Sequence, residues 1–122
     1  MAKILIVEDS TFFRRLLKET LLSQYPKLDI SEAPNAEEAL KKVNGITPDL
    51  IFVDIRLPGE SGLDFTRKIK SKQPNIPIII LTSYDLPEYR EAVKEYQADH
   101  FLSKGTTTKE DILKMVKSIL EK

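Results

Sequence analysis

The sequence predicts an α/β protein, a (βα)5 chain folded as an open, doubly wound parallel sheet of five strands. Three observations carry that reading. Short runs rich in β-branched residues alternate with amphipathic helical stripes along all 122 residues. Three of the runs are apolar throughout, as strands buried on both faces are. The connections are short, and right-handed crossovers between such units give a parallel sheet covered on both faces. A closed barrel needs more strands. In an open sheet of this kind ligands bind in the crevice outside the carboxyl ends of the strands.

The first run is ILIV (4–7). Behind it Phe13, Leu16, Leu17 and Leu21 fall at i, i+3, i+4 and i+8, with Arg14–Arg15 and Lys18–Glu19 assigned to the opposite, polar face. Asp9 or Ser10 is available to cap that helix. The second run, LDISEA (28–33), alternates, as a half-exposed edge strand does. Ala36, Ala39, Leu40 and Val43 then repeat the helical stripe behind Asn35, a good N-cap. The third run is LIFV (50–53); Phe65 and Ile69, with Leu63 nearby, mark the helix after it. The intervening loop LPGESG (57–62) is long enough to start that helix well clear of the strand end. The fourth run, IPIIIL (76–81), precedes a helix marked by Ala92, Val93 and Tyr96, with Asp85 as its expected cap and Pro87 in its first turn. HFL (100–102) is the last strand. The last helix has the cleanest stripe, Ile112, Met115, Val116, Ile119 and Leu120, behind Thr107 or Thr108 and the acids Glu110 and Asp111.

Composition narrows the function. Lys plus Arg equals Asp plus Glu at 19 each, so no bulk positive charge recommends nucleic-acid binding by this domain. With no cysteine there is neither a disulfide framework nor a Cys-based zinc site. The N-terminal MAKILIVEDS is neither a signal peptide nor a membrane span, and no linker divides the chain. A single cytoplasmic domain over residues 1–122, without membrane contact, is expected.

The carboxyl ends of the strands hold the chemistry. The first delivers Glu8 and Asp9, the third Asp54, the fourth Thr82 and Ser83, and the fifth runs FLSK into Lys104. Taken singly each is ordinary: the acid pair begins a helix, Thr82 is a β-branched strand residue and Lys104 a surface lysine. Asp54 is less ordinary. It closes an apolar run and precedes its own helix by several residues, so it is a poor cap and an expensive charge to bury. Three neighbouring carboxylates repel unless a cation joins them, and oxygen-only ligation suits a hard divalent ion. His100 is the only histidine and sits on the fifth strand, which leaves histidine-based hydrolysis unsupported. Neither GxxxxGK[ST] nor GxGxxG occurs. An aspartate with a metal, a hydroxyl and a lysine remains, a set suited to accepting a phosphoryl group.

ILIVEDS, LIFVDIRLPGESG, IIILTS and FLSKG, in that order at successive strand ends, resemble the receiver domains of two-component response regulators, chemotaxis receivers among them, over the whole chain. The resemblance implies a flavodoxin-like three-layer sandwich with strand order 2-1-3-4-5. It implies that Asp54 accepts phosphorus from a phosphohistidine on a sensor kinase or phosphotransfer protein. Mg2+, or Mn2+ in its place, would be held by Glu8, Asp9, Asp54 and the backbone carbonyl of Arg56. Lys104 would pair with the phosphoryl oxygens, Thr82 would move to hydrogen-bond them, and Phe101 would turn into the space Thr82 leaves. The surface formed by the fourth helix, fifth strand and fifth helix would carry the signal; a phosphorylation-dependent homodimer would form through that face or through the first and fifth helices, with Tyr89 and Tyr96 as candidate interface aromatics and at least one of them equally a core residue. Such a domain catalyses only its own phosphorylation and dephosphorylation.

This sequence departs from the commonest receiver pattern at Gly105, where many receivers have proline after the lysine. Arg56, Ser83 and Tyr84 flank the site and are expected to tune the lifetime of the aspartyl phosphate. Arg56 also stands where aspartate-based phosphatases usually carry a second acid, which disfavours that alternative. The sequence ends after the last helix at ILEK: either a stand-alone receiver acting through a partner protein, or the front of a longer regulator. FLSKG resembles receivers joined to a helix-turn-helix output domain, which would make transcription the output.

Overall fold

The structure, a computed structural model, describes residues 2–83 and 86–121. Its elements alternate as β1 (Lys3–Val7), α1 (Thr11–Gln24), β2 (Asp29–Ala33), α2 (Ala36–Ile46), β3 (Leu50–Val53), α3 (Gly62–Lys72), β4 (Ile78–Thr82), α4 (Pro87–Glu95), β5 (His100–Ser103) and α5 (Lys109–Leu120). All pairings are parallel, and the strands run in the order β2-β1-β3-β4-β5. The doubly wound sheet and its order are therefore as expected. The half-exposed β2 lies at one edge and β5 at the other.

The uniformly apolar strands divide their side chains between two cores, because successive residues of a strand point to opposite faces. Ile4, Ile6, Phe52, Ile79 and Leu81 meet Leu17 and Leu21 of α1 and Ile112 and Val116 of α5. Leu5, Val7, Val53, Ile78 and Ile80 meet Ala39 and Val43 of α2, Phe65 and Ile69 of α3 and Val93 of α4. Each fully buried aliphatic side chain contributes about 1.5–3 kcal/mol relative to exposure. With both faces covered, the polar residues of the strands are pushed to their ends.

Local chemistry starts α1, α2 and α5 at caps the sequence offers, and α3 at Ser61, which the sequence reading did not single out. Ser10 caps α1 by accepting from the Phe13 amide, Asn35 caps α2 from Glu38, and Ser61 caps α3 from Asp64. Thr108 and Asp111 form a reciprocal capping box on α5. Helix α4 is a correction. Its N-cap position is Leu86, which has no side-chain acceptor; the expected cap, Asp85, lies outside the described residues. Pro87 as the first helical residue removes one donor that would otherwise need a partner.

Two further expectations change. Arg14 does not sit on a solvated polar face. Its side chain is largely buried, donating through Nη1 to the Glu8 carbonyl at 2.5 Å and through Nε to Glu32 of β2 at 3.2 Å. Nor does α3 start clear of the strand end. The loop doubles back so that the Gly62 amide donates to the Ile55 carbonyl at 2.9 Å. A Cβ on Gly62 would lie 1.9 Å from the carbonyl oxygen of Asp54, so only glycine fits.

Candidate functional site

Backbone hydrogen bonds carry the strand ladders one residue past the strands and onto the site. The Glu8 amide donates to the Ala33 carbonyl at 3.0 Å, the Asp54 amide to the Val7 carbonyl at 3.1 Å, and the Lys104 amide to the Thr82 carbonyl at 2.9 Å. Val7 is level with Val53, and Thr82 with Ser103. The strand-end residues are thus placed by the sheet rather than by loop flexibility.

Their side chains converge. Asp54 is only 6 % exposed and Glu8 only 3 %, while Asp9 faces solvent. Carboxylate oxygens from Glu8, Asp9 and Asp54 lie within 4.8 Å of one another. The Lys104 ammonium donates to Asp54 Oδ2 at 3.1 Å and also to Glu8 Oε1. Its third neighbour is the face of Phe13, whose centroid is 4.0 Å from Nζ. The Arg56 amide reaches Asp54 Oδ1 at 3.4 Å, and the Ser10 amide donates to Glu8 Oε2 at 3.1 Å.

The electrostatics show a site short of positive charge. Burial pushes the Glu8 carboxyl above its ordinary value and outweighs the opposing pull of Lys104 and the Ser10 amide; the charge of Asp54 adds to the rise. One ammonium does not neutralise two buried carboxylates and an adjacent third. An all-oxygen set around a missing positive charge is what a hard divalent ion binds, and three carboxylates fit Mg2+ without a nitrogen or sulfur ligand.

The remaining expected residues fall as follows. Thr82 is fully buried at the end of β4, and Ser83 beyond it is exposed. Arg56 is exposed two residues past Asp54, and Tyr84 lies outside the described residues. Phe101 is half-buried beneath the Arg90 guanidinium, 4.7 Å from its ring centroid. Tyr89 and Tyr96 both pack against the core, Tyr96 with the Arg67 guanidinium 4.0 Å from its centroid. No peptide bond is cis among the described residues, the bond before Gly105 included. His100 begins β5, away from the carboxyl edge. Two contributors escaped the sequence reading. In the sequence Phe13 reads as part of a core stripe and Arg14 as a surface charge; an arginine directly after an aromatic, one turn beyond the acid pair, is the signal for both.

An open α/β sheet whose carboxyl edge gathers acids around a lysine defines a class of crevice-binding domains. The chain matches the response regulator receiver domain family over residues 4–117 and belongs to it. Receiver domains of this family bind Mg2+ and exchange signals with histidine kinases and output domains. Among similar proteins is a protein-glutamate methylesterase/protein-glutamine glutaminase of Pseudoalteromonas atlantica, 42% identical over 69% of this chain and 22% of that protein. Another is the DNA-binding transcriptional activator DevR/DosR of Mycobacterium tuberculosis, 37% identical over 72% of this chain and 41% of that protein. The chain thus spans less than half the length of these relatives. A solved structure of the response regulator protein TrrA from Thermotoga maritima, in complex with Mg2+-BeF, is 38% identical with a TM-score of 0.86, covering 98% of this chain and 100% of that one. No helix among the described residues is long and apolar enough to cross a membrane.

Proposed function

We propose that this chain is a phosphorylation-driven switch whose acceptor is Asp54. The observation that supports this most is a buried carboxylate at the end of β3, with Lys104 on one oxygen and the Glu8–Asp9 pair within 4.8 Å. An oxygen of Asp54 attacks the phosphorus of a phosphohistidine on a sensor kinase or phosphotransfer protein. The new O–P bond forms as the P–N bond breaks, and the electron pair leaves with the imidazole nitrogen. Lys104, already donating to Asp54, turns its ammonium toward the incoming phosphoryl oxygens. The Thr82 hydroxyl supplies a further donor from the end of β4. Glu8, Asp9, Asp54 and the Arg56 carbonyl would hold Mg2+, which when bound neutralises charge on the phosphoryl group.

The added group brings roughly −1.5 to −2 charges. Shifting a two-state population from 1:99 to 99:1 takes about 5.5 kcal/mol, more than one charge-assisted bond supplies, so Thr82 and Lys104 act together. Phe101 then turns inward, and the α4–β5–α5 surface passes the change to an output domain or partner protein, or to a second copy. Phosphorylation and slow dephosphorylation of itself are the only catalysis proposed. Arg56 and Ser83 flank the acyl phosphate and set its lifetime.

Incubation with acetyl phosphate and Mg2+, followed by intact mass measurement, is expected to show one added phosphoryl group, absent in Asp54→Asn. Labelling that persists in Asp54→Asn removes the acceptor assignment. Following the label after donor removal in wild type and Arg56→Ala tests the tuning role, and equal decay rates end it.

A further inference from the structure

Lys104 stands on a four-carbon stem, and a lysine so placed has many rotamers and a strong preference for water. Two of its contacts are the carboxylates of Glu8 and Asp54. A third is aromatic. The Phe13 ring lies with its centroid 4.0 Å from Nζ, inside the range of an effective cation–π interaction. Phe13 is itself placed by the sequence: its amide donates to the Ser10 cap at 3.2 Å, which fixes the first turn of α1, and its ring packs against the α1–α5 core. Phe13 and Lys104 both line a cavity of about 110 Å³, together with Leu17, Leu81 and Ile112. Without the ring, that space would be open to the Lys104 stem.

The carboxylates are also the contacts that Lys104 stands to lose. Both belong to the acid cluster that would turn toward a cation, whereas the Phe13 face has nothing to offer a metal held by oxygen. We propose that Phe13 is a positioning residue for Lys104: its ring holds the ammonium over Asp54 and closes the retreat into the α1–α5 cavity. The proposal rests on the reading of Asp54 as phosphoacceptor for its kinetic consequence, but the contact itself does not.

Two measurements separate these layers. In the first, the maximal rate of labelling by acetyl phosphate at saturating Mg2+ is compared for wild type, Phe13→Leu and Phe13→Tyr. Acetyl phosphate is small enough to need no docking surface on α1. Phe13→Leu, which keeps an apolar side chain and loses the ring, is expected to slow labelling by about three- to tenfold, between the values for an exposed and a desolvated cation–π contact. Phe13→Tyr, which keeps the ring, is expected to stay within about twofold of wild type. Phe12→Leu, at an exposed neighbour on the same helix, serves as the control and should leave the rate unchanged. Equal rates for wild type and Phe13→Leu, or equal losses in Leu and Tyr variants, overturn the positioning role. The second is a double-mutant cycle in urea unfolding of the metal-free protein, with Phe13→Leu and Lys104→Met. A coupling of about three- to tenfold in the unfolding equilibrium supports the contact; additive effects overturn it, whether or not wild type accepts phosphorus.

Discussion

Among the described residues, the side chains of Lys70, buried, and Lys104, largely buried, lie one at each end of the sheet, and they are held in opposite ways. At the amino end, the ammonium of Lys70 donates to the carbonyls of Pro74 at 3.2 Å and Ile76 at 2.8 Å and pairs with Asp99 at 2.7 Å. Three donors meet three acceptors, two of them fixed backbone. Asp99 in turn accepts from the Ile78 amide at 2.7 Å, tying α3 to the starts of β4 and β5. At the carboxyl end, Lys104 faces two mutually repelling carboxylates and an aromatic ring. The first arrangement is complete and closes a structure. The second carries surplus negative charge. Burial alone does not mark a functional charge; an unbalanced set does.

The contrast should break most visibly in chemistry. Lys104→Met is expected to slow acetyl phosphate labelling by about 10²–10³, the usual cost of removing one preorganised charge-stabilising donor, while Lys70→Met stays within about twofold at a temperature well below its Tm. Similar slowing in both variants would erase the distinction. Stability should separate them next. Lys70→Met is expected to lose about 3 kcal/mol, the lower end for a broken buried pair because Asp99 keeps access to water. Lys104→Met should also be destabilised when metal-free, yet Mg2+ is expected to restore most of that loss and none of the Lys70→Met loss in urea titrations.

The smallest effect concerns Glu8. Its folded-state pKa is raised, chiefly by burial, so the folded protein binds that proton more tightly than the unfolded chain. The Glu8 contribution therefore lowers stability as pH rises from 4.5, its ordinary value, through the raised folded value, and the loss persists above it. Glu8→Gln is expected to raise the Tm of the metal-free protein by a few degrees near neutral pH. The gain should fade as pH falls toward 4.5. A Tm difference independent of pH across that window would show that the surplus charge is not the cause.

How much of this was written in the sequence depends on the range of the interaction. Strand and helix positions came from local period and caps, and the observed ladders begin and end within two residues of the apolar runs. Asp54 was legible because it broke an apolar run without being able to cap a helix. The division of Ile78 and Ile79 between opposite cores was not legible, since a run apolar on both faces has no period to read. Arg14 and Lys70 were missed for another reason. Arg14 meets Glu32 eighteen positions away, Lys70 meets Asp99, and both partners are recognised only once register brings β2 and β5 into place. The two surface-looking charges are buried by topology, not by composition.

The absent side chain of Gly62 has a mechanical consequence. With the first residue of α3 resting on the carbonyl of Asp54, there is no slack between the helix and the Asp54 backbone. Any added bulk at position 62 would have to displace the Asp54 carbonyl or the first turn of α3, since no loop lies between them to yield. Helix α3 is thereby seated directly on the Asp54 backbone, and the hydrogen bond from the Gly62 amide to the Ile55 carbonyl holds it there.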